Sequence, residues 1–209
     1  MKIFDLSYTL DDNTPVYPGT PIPVFKKFAT IDKNGFNETH FCLTSHTGTH
    51  IDAPYHMIEH GEKLDQIPLE AFTGKALVIN VPDNEKFIQK EMILNAGDAL
   101  LNVDFLIFNT GWSKFWGSRK YFNDFPVLSS HALELLLSMN LKGVGFDTVS
   151  VDEMDSVDYK IHFTLLKKGI IIIENLNIPD DIPSTGDFFC FPLSYKDADG
   201  SPVRAVFII

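Results

Sequence analysis

His46, His50, Asp52 and His56 fall within one short stretch, SHTGTHIDAPYH, residues 45–56. Neutral imidazole and carboxylate are the usual ligands of a catalytic divalent metal, and such a site needs no cysteine. Structural zinc sites, by contrast, are cysteine-rich and closed. The spacing sets a geometric condition. In a straight strand His46 and His50 would stand roughly 13 Å apart, too far to share an ion. A bend or a single helical turn at Gly48 would bring them together as i and i+4 neighbours. Pro54 pushes Ala53 out of the helical region, so that turn must stop near Asp52. A solvated histidine loop is the plainer reading. Four ligand-type side chains, with Gly48 and Pro54 fixing the bend, favour a metal site over it.

Two further residues can join this set. His162 lies near the start of a helix expected over 159–168, and Glu174 ends the apolar strand expected over 170–174. The helix runs on for roughly 9 Å past His162. The strand returns for roughly 13 Å. Antiparallel packing of the two would bring the side chains together. A carboxylate ending a buried strand is costly unless it is paired, protonated or metal-bound. The alternative is that the strand ends at the surface there. Asp147 and Asp152, after the strand expected over 144–146, could orient ligand histidines or simply cap the turn.

The elements that must position these groups read as follows. Residues 1–10 predict a strand, and 11–23 a stiff loop carrying prolines 15, 18, 21 and 23. Strands are expected over 24–31 and 38–46 around the turn DKNG, with the histidine cluster directly after the second. Strands follow at 76–81 and 103–109, with a helix over about 85–95 between them. Ser129 or Ser130 caps a helix over 130–139, which Gly143 terminates. At the end, DFFCFPLSY and VRAVFII pair across a turn at Asp199-Gly200. Without repeat or linker, residues 1–209 read as one mixed α/β domain with much antiparallel pairing.

Composition narrows the function. The chain has 209 residues, 44% hydrophobic and 22% charged, which is ordinary for a globular protein and enough for a sizeable core. A net charge of −11 without a Lys/Arg cluster speaks against nucleic acid and against anionic membrane surfaces. Eighteen phenylalanines could line a core, a subunit interface or an aromatic pocket. Cys42 and Cys190 lie in apolar runs and read as buried free thiols, which fits a reducing compartment. The opening MKIFDLSYTL has no signal-peptide layout, and no segment is long enough to cross a membrane. A cytoplasmic protein is expected.

The stretch HTGTHIDAPYH resembles the signature of the metal-dependent cyclase-type hydrolases, a family that includes bacterial kynurenine formamidases and isatin hydrolases. Further similar stretches are DLSYTLDDNTPVYPGT, GFDTVSVD at 145–152, IHFTLLKKGIIIIENLN at 161–177 and DADGSPVRAVFI near the end. The resemblance covers essentially the whole chain and implies the family's swivelling β/β/α fold. It implies one metal held by His46, His50 and Asp52, and a second bridged by Asp52 and completed by His162 and Glu174. It makes His56 the proton shuttle. Zinc is the favoured ion and manganese the second choice, as one or two ions. Tyr17 stands where kynurenine formamidases usually carry a substrate-contacting tryptophan. The implied activity is hydrolysis of small amides, with N-formylkynurenine the best single substrate. The alternatives are an isatin-like lactam on the same scaffold, or a metal-binding module without activity. A homodimer is implied as well.

Overall fold

The computed structural model describes residues 1–209. Its elements, in chain order, are β1 (Ile3–Asp5), β2 (Val24–Ala29), α1 (Ile31–Asn34), β3 (Glu38–Cys42), β4 (His50–Asp52), β5 (Thr73–Asn80), β6 (Phe87–Ile88), α2 (Lys90–Leu94), β7 (Phe105–Asn109), β8 (Val127–Leu128), α3 (Ser130–Ser138), β9 (Gly143–Phe146), α4 (Lys160–Lys167), β10 (Ile171–Glu174), β11 (Thr185–Phe189), β12 (Gly200–Pro202) and β13 (Val206–Ile208). Nine strands form one sheet in the order β1-β13-β11-β5-β7-β9-β10-β4-β12. The run β5-β7-β9-β10 is parallel and the flanking pairs are antiparallel. This is the mixed α/β class expected.

Residues alternate between two apolar layers, one on each face of the sheet. Leu77, Ile79, Leu106, Phe108, Val144, Phe146 and Ile172 join the layer that α2, α3 and α4 cover. Ala76, Val78, Phe105, Ile107, Ile171 and Ile173 join the other. That second layer also holds Phe4 and Phe207 from one end of the sheet and Ile51 from the other, so the sheet curls around it. The central strands are buried on both faces, which is why they read as unbroken apolar runs.

Several expected boundaries shift. The first strand shrinks to Ile3–Asp5. The helix expected over 85–95 covers only Lys90–Leu94, because Phe87 and Ile88 pair with Val127 and Leu128. α3 ends at Ser138, not at Gly143, which opens β9 instead. Ser129 does cap α3, its side chain accepting from Ala132 N at 3.2 Å. Asp199-Gly200 is not a hairpin turn. Gly200 begins β12, which leaves the β11/β13 pair to join β4. β2 and β3 pair as expected, but as a separate two-stranded hairpin that projects Phe28, Phe36 and Phe41 into solvent. Cys42 lies on this hairpin and is exposed, so only Cys190 is a buried thiol. No helix is long and apolar enough to cross a membrane.

Candidate metal centre

β4 and β10 build one wall of the site. Their antiparallel register sets His50 opposite Glu174 and Asp52 opposite Ile172. Since Ile51 enters the inner layer, alternation turns His50 and Asp52 to the opposite face, towards α4. Glu174 shares the face of Ile172 for the same reason. α4 lies over that face, burying Ile161, Leu165 and Leu166 there, and brings His162 with it. The bend anticipated at Gly48 is present, with φ +65°. It folds the chain back so that the His46 ring lies 5.1 Å from that of His50. His46 sits in this turn and not on a strand end, while His50 already belongs to β4. Ala53 is extended, as Pro54 requires.

Two groups of potential ligands share Asp52, and a third, His46, His56 and Asp199, lies beside them. His46, His50 and Asp52 are one, and Asp52, His162 and Glu174 the other, with the potential ligand atoms of each within 4.8 Å of one another. Asp52 Oδ1 lies 2.7 Å from His46 Nδ1 and 3.4 Å from His50 Nε2. Glu174 spans His50 Nε2 at 3.4 Å and His162 Nε2 at 3.0 Å. Each histidine turns its other nitrogen to an outer acceptor. His46 Nε2 faces Asp199 at 2.9 Å, His50 Nδ1 faces the Gly48 carbonyl at 2.8 Å, and His162 Nδ1 faces Asp152 at 2.7 Å. An acceptor on one ring nitrogen fixes the proton there and leaves the other lone pair free to bind a metal.

Charge is concentrated here. Burial opposes protonation of His46, but Asp52 and Asp199 outweigh it and raise its pKa to about 9. Burial likewise opposes protonation of His50, and Asp52 with Glu174 carries it to about 10. His162, also buried, is carried to about 10 by Asp152 and Glu174. Burial works against ionisation of Asp52 and Glu174 as well, yet the neighbouring histidines hold both carboxyls below the usual range. His56 moves the opposite way, lowered first by burial and then by its histidine neighbours.

Asp52 Oδ2 tests whether the set fits a cation. It is buried without a hydrogen-bond partner and stands 3.8 Å from His162 Nε2. A carboxylate oxygen left so is costly unless something positive meets it. Two carboxylates, three oriented imidazoles and one unpartnered oxygen fit a divalent ion.

All six residues line one cavity of about 270 Å³. Tyr17 lines it too, with Pro15 and Thr20 from the proline-rich loop, and also packs against the outer core layer. Of the two further aspartates, Asp152 orients His162 and also receives the backbone N–H groups of Ile161 and His162 at the start of α4. Asp147 does neither. It accepts from Thr110, Trp112 and Ser113 and holds the turn after β7. Asp199 escaped the sequence reading because Asp-Gly is a strong turn signal. Here Gly200 leaves room for a ring, since a Cβ on it would lie 2.5 Å from His46 Cε1.

The "Putative cyclase" family model matches residues 4–153. A kynurenine formamidase of Bacillus cereus is 30% identical over 203 residues, covering 97% of this chain and 95% of its own length. Among solved structures, isatin hydrolase A from Labrenzia aggregata superposes with a TM-score of 0.89 at 28% identity, covering 99% of this chain and 93% of its own. A protein from Bacillus stearothermophilus, described as a predicted metal-dependent hydrolase, superposes with a TM-score of 0.79 at 28% identity, covering 99% and 97%. The chain belongs to the cyclase family of metal-dependent hydrolases.

Proposed function

We propose that this chain hydrolyses small aromatic amides with a divalent metal, that N-formylkynurenine is its substrate, and that zinc is its ion. The unpartnered Asp52 Oδ2 carries the metal part of this reading, set among three histidines whose outer nitrogens are already engaged. His46, His50 and Asp52 hold one ion, and Asp52, His162 and Glu174 a second. A cation so held supplies Lewis acidity, polarising the amide carbonyl and making water nucleophilic near neutral pH. His56 lines the cavity with its imidazole biased towards the neutral form. It takes the proton that the attacking water gives up and passes it to the amide nitrogen. The carbon–nitrogen bond then breaks, the amine leaves neutral, and the acyl group leaves as a carboxylic acid that gives up its remaining proton to water and becomes a carboxylate. Tyr17 offers a flat face to an aromatic ring at the cavity wall.

An isatin-like lactam is the second reading, favoured by the close superposition on an isatin hydrolase. Reconstitution with zinc or manganese, followed by assay on N-formylkynurenine and isatin, separates the two. Metal binding without turnover of any amide, lactam or ester leaves only a binding module. The chain is a single domain, resides in the cytoplasm and works as a homodimer in this reading. The projecting β2/β3 hairpin supports the last point, because an isolated hairpin is marginal in water and its phenylalanines need cover. A second copy is the occupant proposed. A monomeric mass in solution at working concentration would remove it.

A further inference from the structure

Behind His50 lies a chain of hydrogen bonds that begins at a fully buried tyrosine. The Tyr121 hydroxyl is closed from solvent and faces two acceptors only, Asn175 Oδ1 at 2.8 Å and the Asp147 carbonyl at 3.3 Å. Asn175 Nδ2 donates to the Gly48 carbonyl at 3.0 Å. The same carbonyl receives His50 Nδ1–H at 2.8 Å. Asn175 follows Glu174 directly and sits at φ +56°, a left-handed conformation that asparagine tolerates better than most residues. That turn swings its amide back over β4. Its backbone is pinned as well, N–H to the Thr148 carbonyl at 3.0 Å and carbonyl from Thr49 Oγ1 at 2.6 Å.

The direction of this chain is fixed by chemistry. A carbonyl only accepts, so the shorter contact of His50 Nδ1, 2.8 Å to the Gly48 carbonyl against 3.3 Å to Asn175 Nδ2, puts a proton on Nδ1, and Nε2 turns to Asp52 and Glu174. The asparagine amide has two orientations. If flipped, it would set Oδ1 against the Gly48 carbonyl and its NH2 against the Tyr121 hydroxyl. The Gly48 carbonyl has no proton to give and so selects the other, in which Oδ1 accepts from the Tyr121 hydroxyl. We propose that Tyr121 and Asn175 are positioning residues for His50, which fix the bend at Gly48 and the tautomer that presents Nε2 to the metal. This rests on the metal reading above. Tyr121 does not line the cavity; Asn175 does, but in this role it acts on His50 through the Gly48 carbonyl.

The test uses the purified protein loaded with Co(II) and challenged with a chelator. Ligand-field absorption and melting temperature are followed in parallel. Tyr121→Phe removes one hydroxyl and keeps the ring. Asn175→Gly keeps the left-handed backbone available and removes the amide. Both variants should fold, lose Co(II) affinity by about 10-fold or more, and shift the visible bands. If glycine restored wild-type affinity, the backbone conformation alone would be at work and the proposal would fail. It would fail equally if Tyr121→Phe melted lower yet held Co(II) with unchanged affinity and spectrum. Should Asn175→Gly not fold, Tyr121→Phe decides alone. A wild-type protein that binds no Co(II), Zn(II) or Mn(II) would instead overturn the metal reading itself, a different outcome from equal binding by wild type and variants.

Discussion

His56 differs from the other three site histidines in what it touches. Asp199 Oδ2 stands 3.9 Å from its Nδ1, beyond hydrogen-bond reach, and its ring is tilted by 38° against that of His46, with the centroids 4.0 Å apart. A group held so loosely can exchange a proton without dismantling the donor set. His56→Ala is therefore expected to keep metal content near wild type and to lower the rate by roughly two to four powers of ten. His50→Ala should lose metal and activity together. Stoichiometric metal loss from His56→Ala would turn the shuttle into a ligand. Asp199 is the opposite case. It anchors His46 Nε2 and accepts from Ser45 Oγ at 3.1 Å. Asp199→Ala should weaken metal binding by about 10- to 100-fold, read by chelator competition. Asp199→Asn, which still offers His46 an acceptor, should recover part of that loss. His46, His50, Asp52 and His56 were legible because their types and spacing are local. Asp199 was not, because its partner lies 153 residues away and its own neighbourhood spells a turn.

The elements that carry the site are short, and that explains which of them could be read. β10 and β9 are buried on both faces and announce themselves as apolar runs. β4 has only three residues, two of them polar, so no alternating pattern marks it. Its strand character comes from β10 on one side and β12 on the other, both distant in sequence. α4 was legible from its end, where Lys167 and Lys168 precede Gly169, but Asp158, which reads as its start, does not cap it. Tyr159, at φ +44°, makes no side-chain cap, and Asp152 supplies the acceptors from outside the helix. Asp152 thus binds helix geometry to His162 orientation. Removing it exposes two backbone donors and frees the ring. Asp152→Ala should cost about 1 kcal/mol of stability, as loss of a helix cap does. Metal affinity should fall beyond what that destabilisation explains. A lower melting temperature with unaltered metal affinity would confine Asp152 to the cap role.

For the molecule as a whole, the packed cluster makes stability depend on pH and on metal in opposite ways. His46, His50 and His162 have pKa values raised from 6.5 to about 9, 10 and 10. A raised value means that the folded state holds the proton more tightly than the unfolded chain. The stability they contribute is complete below about pH 6.5 and is lost as pH climbs through 9 to 10. Asp52 and Glu174 are lowered from 3.8 and 4.5, so their contribution is present above those values and lost as pH falls. Chelator-treated protein should therefore melt highest between roughly pH 4.5 and 6.5 and progressively lower towards pH 10. Metal reverses the upper limb. Its ligands must shed those protons, so binding tightens as pH rises over the same range. The melting temperatures of loaded and chelated protein should converge near pH 5 and diverge steadily towards pH 9. Parallel curves across that interval would show that these histidines do not exchange protons for metal, and would remove them as ligands.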